Sequence, residues 1–146
     1  MNKRLPSTSR SLPIALLRAR EQVMGPIRAM LSESDVTEQQ WRVLRVLEEE
    51  GPMEPTRIAD QACLLLPSLT RILQKLEEKK LISRERDMVD RRKQVVRVSK
   101  SGSLLIADNL EASVALMDDV RNRMGQDRYE ALLDLLNELD QIRDQD

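Results

Sequence analysis

Two groups of side chains carry spacings with chemical use. In RERDMVDRRKQVVRVS, residues 84–99, Asp90 and Arg92 stand two apart on a tight charged turn, between a segment opened by Arg84 and one closed by Val95, Val96 and Val98. A carboxylate at that spacing can hydrogen-bond the guanidinium and hold it pointing outward. A thin, fixed cation suits the narrow minor groove of DNA, where negative potential concentrates. Arg91 and Arg84 add charge that seeks phosphate. Upstream, Ser68, Arg71 and Lys75 share one side of a helical pattern with Thr70 and Gln74 beside them, while Leu69, Ile72, Leu73 and Leu76 take the other. Small and basic outer residues let a helix approach base edges. Ser68, Thr70 and Arg71 lie near its start, Arg71 can donate two hydrogen bonds to a guanine, and Lys75, one turn on, suits a phosphate.

These residues need a helix and a hairpin held side by side, and the flanking pattern provides for both. Pro6, Ser7, Ser9 and Ser11 mark a loose arm; Ile14, Leu17, Val23, Met24, Ile27 and Leu31 then recur at helical steps, with a bend expected at Gly25 and Pro26. Thr37 opens TEQQWRVLRVLEEEG, where Gln40 three residues on can complete a capping box, and Gly51 with Pro52 ends the helix. Residues 55–62 form a short helix with Ile58 and Ala59 inward. CLLL is a turn, and Pro67 suits the first position of the next helix. Strands are expected near 82–86 and 94–98. Ser99 can cap a long helix over about 100–124 with Ile106, Leu110, Val114, Met117, Val120 and Met124 as its seam. Gly125 breaks it before a last helix, 127–144, that carries Tyr129, Leu132, Leu133, Leu136, Leu139 and Ile142. The fold class is mostly α with a small β-hairpin: a helix-turn-helix with a wing, flanked by long helices.

Composition agrees. A chain of 146 residues makes one ordinary domain. With Trp41 and Tyr129 as its only aromatics, its core must come from Leu, Ile, Val, Met and Ala, which pack well between helices. The net charge of −1 conceals segregation: residues 64–100 hold eleven Lys and Arg against five Asp and Glu, whereas residues 101–146 hold four against eleven. A compact basic block is the footprint of a polyanion partner. The chain has no histidine, no paired metal-ligand spacing, no phosphate-cradling glycine loop and no nucleophile beside a base, so catalytic and metal-binding residues, and a cofactor, are not expected. The apolar piece of the first twenty residues is short and is cut by Pro13, Arg18 and Arg20, which fits neither a signal peptide nor a membrane span. A single cysteine, Cys63, excludes an intrachain disulfide, and a cytoplasmic protein is expected.

The order LTRILQKLEEKKLISRERDMVDRRKQVVRVSKSG resembles the MarR family of dimeric winged helix-turn-helix regulators. The family's wing pattern, an arginine, five residues, then Asp, any residue and Arg, falls on Arg84, Asp90 and Arg92. More narrowly, TEQQWRVLRVL and ACLLLPSLTRIL resemble the branch that represses the operon for homoprotocatechuate (4-hydroxyphenylacetate) breakdown. The resemblance spans nearly the whole chain. It implies a single domain over 1–146, with a winged lobe over about 35–100 and dimerisation helices over 12–32 and 100–145. It also implies a transcriptional regulator of aromatic catabolism, released from DNA by a small aromatic acid. A bound carboxylate needs a cation and an apolar wall, which Arg18 or Arg20 with Trp41 and Arg42 could supply.

Dimerisation is expected on physical grounds too, because the terminal helices carry apolar stripes too long for the central lobe to cover. A homodimer presents two recognition helices and calls for a pseudo-palindromic operator in double-stranded DNA, with half-sites about one turn apart. Two other readings remain open. Cys63 could make the chain redox-responsive, although a thiol beside so apolar a turn is expected to be buried. The leucine-rich ends could instead belong to a helical adaptor for other proteins, which would leave the basic centre idle.

Overall fold

The computed structural model describes residues 4–144. Those up to Leu110 form one compact unit, and those from Glu111 onward form a second. After a 3₁₀ turn at Thr8–Arg10, the elements run α1 (Leu12–Leu31), α2 (Glu38–Glu50), α3 (Pro55–Gln61), α4 (Leu66–Glu78), β1 (Ile82–Arg86), β2 (Gln94–Val98), α5 (Lys100–Met124) and α6 (Gln126–Asp140). Pro26 lies inside α1, which continues past it as one helix.

The start of α2 is built by the expected capping box. The Gln40 amide donates to Thr37 Oγ1 at 3.1 Å, and the Thr37 amide donates to Gln40 Oε1 at the same distance. The helix ends where Gly51 takes φ +85°, a conformation open to glycine at no steric cost. Its inner face of Trp41, Val43, Leu44 and Leu47 meets Ile58 and Ala59 of α3 and Leu69, Leu73 and Leu76 of α4 in one core, joined by Leu31, Val96 and Ile106. Burial of these aliphatic side chains, at about 1.5–3 kcal/mol each, is what holds α2, α3 and α4 together.

Helix α4 begins one residue earlier than expected: Leu66 is its first residue, and Pro67 occupies the second. Pro67 still costs nothing there, because the amides of a helix's first turn have no intrahelical acceptor to lose. The hairpin pairs Ile82 with Val98 through to Arg86 with Gln94, antiparallel and within the expected limits. A further contact not foreseen joins Met53 to Val96, with the Val96 amide donating to the Met53 carbonyl at 2.9 Å and the Met53 amide returning the bond at 3.2 Å. The wing is thereby fastened to the core from its second strand.

Helix α5 is capped by Ser99, whose hydroxyl accepts the Gly102 amide at 3.1 Å and donates to the Lys80 carbonyl at 2.7 Å. Asn109, buried on this helix, donates to Ser34 Oγ and to the Leu105 carbonyl, both at 2.9 Å. Within the second unit, the Arg121 guanidinium lies 4.9 Å from the centre of the Tyr129 ring and bonds Asp118 at 2.7 Å. Helix α6 stops at Asp140 and not at 144, so Ile142 falls in the turn beyond it and is exposed. Among the described residues, no helix is long and apolar enough to cross a membrane.

Candidate nucleic-acid interface

Helix α4 buries Leu69, Leu73 and Leu76 and leaves Ser68, Thr70, Arg71, Gln74 and Lys75 exposed. Among the described residues, Arg71 has no side-chain partner, so its five donors are free for an acceptor outside the chain. The Thr70 hydroxyl donates to the Leu66 carbonyl at 3.1 Å, which leaves its lone pairs open but commits its proton. Lys75 lies 3.5 Å from Glu78, a solvent-exposed pair of small energetic weight.

Arg84, expected to seek phosphate, is paired within the chain: its Nη2 donates to Glu77 Oε1 at 2.9 Å, and its side chain is largely covered. This hydrogen bond to Arg84 holds the Glu77 carboxyl below the usual glutamate range, against a smaller opposing effect of burial. The same bond raises the already high Arg84 value. The pair is a strut from the last turn of α4 to the first strand of the wing.

At the wing tip Asp90 acts as expected. Its Oδ1 accepts from Arg92 Nε at 3.3 Å and from the Arg92 amide at 3.1 Å, while the Arg92 side chain is 92% exposed. A second aspartate, unnoticed in the sequence, shapes the other half of the turn: Asp87 Oδ1 accepts the Val89 amide at 2.8 Å. Backbone bonds from Asp87 to the Lys93 carbonyl and from Lys93 to the Asp90 carbonyl, both 2.9 Å, close the loop. Arg91 is exposed, and with Arg86, Arg92, Lys93 and Gln94 it lines a cleft of about 530 Å³ at the tip. Four cations around one concavity supply the charge that phosphate contacts require.

Among the described residues, the four expected to receive an effector make no hydrogen bonds to one another. Arg18 donates to Thr8 Oγ1 at 3.1 Å, and Arg20 pairs with Glu38 at 2.7 Å. Trp41 is a core residue, 7% exposed. Arg42 donates to the Ala62 carbonyl at 2.7 Å and so caps the end of α3. Glu38 had not been singled out. Its Oε2 is buried without a hydrogen bond, with Arg28 3.8 Å away. Cys63 is exposed and not buried as expected, because it turns the chain out of α3 with φ +55°.

A helix that turns Arg71 and Lys75 outward from its own core, braced to a cationic hairpin, is the geometry of a winged helix-turn-helix. The model of the MarR family matches residues 36–94, which span α2 through the start of β2. The HTH-type transcriptional regulator FarR of Neisseria gonorrhoeae is 35% identical over 142 residues, 96% of this chain and 97% of that one. The chain belongs to the MarR family. Members of the MarR family are transcriptional regulators and not enzymes. The homoprotocatechuate degradative operon repressor of Escherichia coli is 42% identical over 95 residues, covering 65% of this chain and 64% of that protein. The solved structure of NadR in complex with 4-hydroxyphenylacetate superposes with a TM-score of 0.82 at 34% identity, over 92% of this chain and 98% of that one.

Proposed function

We propose that this MarR-family regulator represses an aromatic-compound catabolic operon and leaves its operator when a small aromatic carboxylate binds. The observation that carries the reading is the outward row of Ser68, Thr70, Arg71 and Lys75 on α4, coupled by Glu77 and Arg84 to a wing tip with Asp90, Arg91 and Arg92. In this reading Ser68, Thr70 and Arg71 meet base edges, Lys75 and Arg91 meet phosphates, and Arg92 enters the minor groove. The protein works in the cytoplasm as a single domain over 1–146, its lobe over about 35–100. A homodimer forms through helices over 12–32 and 100–145 on a pseudo-palindromic operator. Leu12, Leu16 and Leu17 on α1, and Leu132, Leu133, Leu135 and Leu136 on α6, are exposed and supply apolar surface for a second copy.

The effector class is supported by the likeness to a homoprotocatechuate operon repressor and to a structure holding 4-hydroxyphenylacetate. Arg20 is the proposed switch. A ligand carboxylate competes with Glu38 for its guanidinium, Trp41 forms part of the apolar wall, and Arg18 and Arg42 complete the site. Once Arg20 leaves, Glu38 keeps only the longer contact to Arg28, and the tie from α1 to α2 loosens. The test is a titration of the purified chain on labelled duplex from its own upstream region, with and without 4-hydroxyphenylacetate and related phenolic acids. Affinity should fall at saturating acid; affinity unchanged by every acid would refute release by this class. A second reading has one observation in its favour: the exposed Cys63 thiol could make DNA release sensitive to peroxide.

A further inference from the structure

The wing tip carries two apolar side chains that the roles above leave unused. Met88 is 94% exposed and Val89 is 96% exposed; among the described residues, only Leu5 on the N-terminal arm is comparably bare. They occupy the apex of a loop held from both sides. Asp87 accepts the Val89 amide, Asp90 fixes Arg92, and the Asp87 amide closes onto the Lys93 carbonyl. The backbone of the apex is therefore held in place by the loop's own bonds, which lowers the cost of ordering it on a partner. Directly behind it, Arg86, Arg91, Arg92 and Lys93 line the cationic cleft.

We infer that Met88 and Val89 form an apolar wedge that enters the DNA minor groove and makes the wing selective for steps lacking a guanine 2-amino group. The inference rests on the DNA-binding reading above. Phosphate gives methyl and thioether groups no favourable contact, so an apolar apex ringed by cations fits a surface with anionic rims and apolar walls. The minor groove is such a surface, with phosphates at its rims, deoxyribose carbons along its walls and base edges at its floor. The 2-amino group of guanine projects from that floor and obstructs the apex, whereas A·T and inosine·cytosine pairs leave it clear. Apolar side chains at this depth also part base steps and bend the duplex.

The test uses the full chain and three duplexes of equal length, alternating A·T, alternating inosine·cytosine and alternating G·C, titrated by fluorescence anisotropy over a range of salt. Inosine·cytosine separates the grooves, because it has the minor-groove face of A·T and the major-groove face of G·C. Wild type should bind A·T and inosine·cytosine about tenfold more tightly than G·C, the scale of covering one such side chain. Met88→Ser/Val89→Ser should cut the preference for inosine·cytosine over G·C about fivefold, the remainder coming from Arg92, while the slope of log affinity against log salt stays unchanged. Met88→Leu/Val89→Ile should keep the preference. The wedge is overturned if the serine variant retains the full preference, or if inosine·cytosine behaves like G·C. Failure of wild type to bind any of the duplexes at low salt would overturn the DNA-binding reading itself, and the wedge with it.

Discussion

Replacing Gly102 with alanine tests how closely the wing must pack on α5. On helix propensity alone the change should help, by at most about 1 kcal/mol. The packing argues the opposite. A Cβ at this position would press into the Leu81 carbonyl oxygen and stand 2.6 Å from Val98 Cγ2, about 1 Å inside ordinary carbon–carbon contact. Neither neighbour yields easily. The Leu81 carbonyl already accepts the Ser99 amide at 2.9 Å, and Val98 is paired with Ile82 at the base of the wing. Overpacking against such a joint costs about 3 kcal/mol, the upper end of the usual range. Net of propensity, Gly102→Ala should lose about 2 kcal/mol, or about 4–8 °C in melting temperature for a chain of this size. Thermal melts followed by circular dichroism, at matched chain concentration because assembly raises apparent stability, measure it directly. Ser101→Ala, one position away and exposed, is the control and should move the midpoint little. A Gly102→Ala protein that melts at or above the wild-type temperature would refute the reasoning.

Four further outcomes follow from the site. Arg71→Ala should weaken operator binding about tenfold to a hundredfold and relax preference at one base position, whereas Lys75→Ala should weaken all sequences alike and reduce the salt slope by about one; binding titrations on matched and mutated duplexes distinguish them. The Glu77 carboxyl titrates below its unfolded value, so the strut's contribution is complete above the ordinary glutamate range and is lost as pH falls through the lowered folded value. Glu77→Gln should remove that acid-side dependence in denaturant melts at several pH values, and an unchanged difference between the two proteins across the acid range would argue against the strut. Arg20→Ala removes the tie to Glu38 as the ligand does, so it should lower operator affinity toward the acid-saturated value and abolish any further response to an aromatic acid, read in the same titration with and without acid. Peroxide should release DNA from wild type and spare Cys63→Ser only if the exposed thiol is a sensor; equal behaviour of the two would remove the redox reading.

Elements with a strong local signal were legible before the fold was known. The hairpin limits, the Thr37–Gln40 capping box and the Ser99 cap all depend on residues close in sequence, and each forms as expected. Features made across elements were not. Glu77 lies on the outer side of α4, and nothing in a helical period says that Arg84 of β1 will turn back to it. The Met53–Val96 bridge is one residue pair and carries no period at all. Nothing in the period of a long helix marks Gly102; its need comes from Leu81 and Val98 at the other side of a joint. Cys63 was misjudged because its neighbours Leu64, Leu65 and Leu66 are apolar, yet Leu65 is itself 77% exposed where the chain turns between α3 and α4. Arg20, Trp41 and Arg42 were chosen for their chemistry, and each already has a partner or a core position within the chain.

The central claim is that two copies lay paired recognition helices and wings on one face of a duplex. Hydroxyl-radical footprinting of the purified chain on its own upstream DNA tests it most directly. Two symmetric protected patches about one helical turn apart, both weakened together with Arg71→Ala at the same chain concentration, are the expected result. A uniform cleavage ladder at low salt, or a single asymmetric patch, would contradict it.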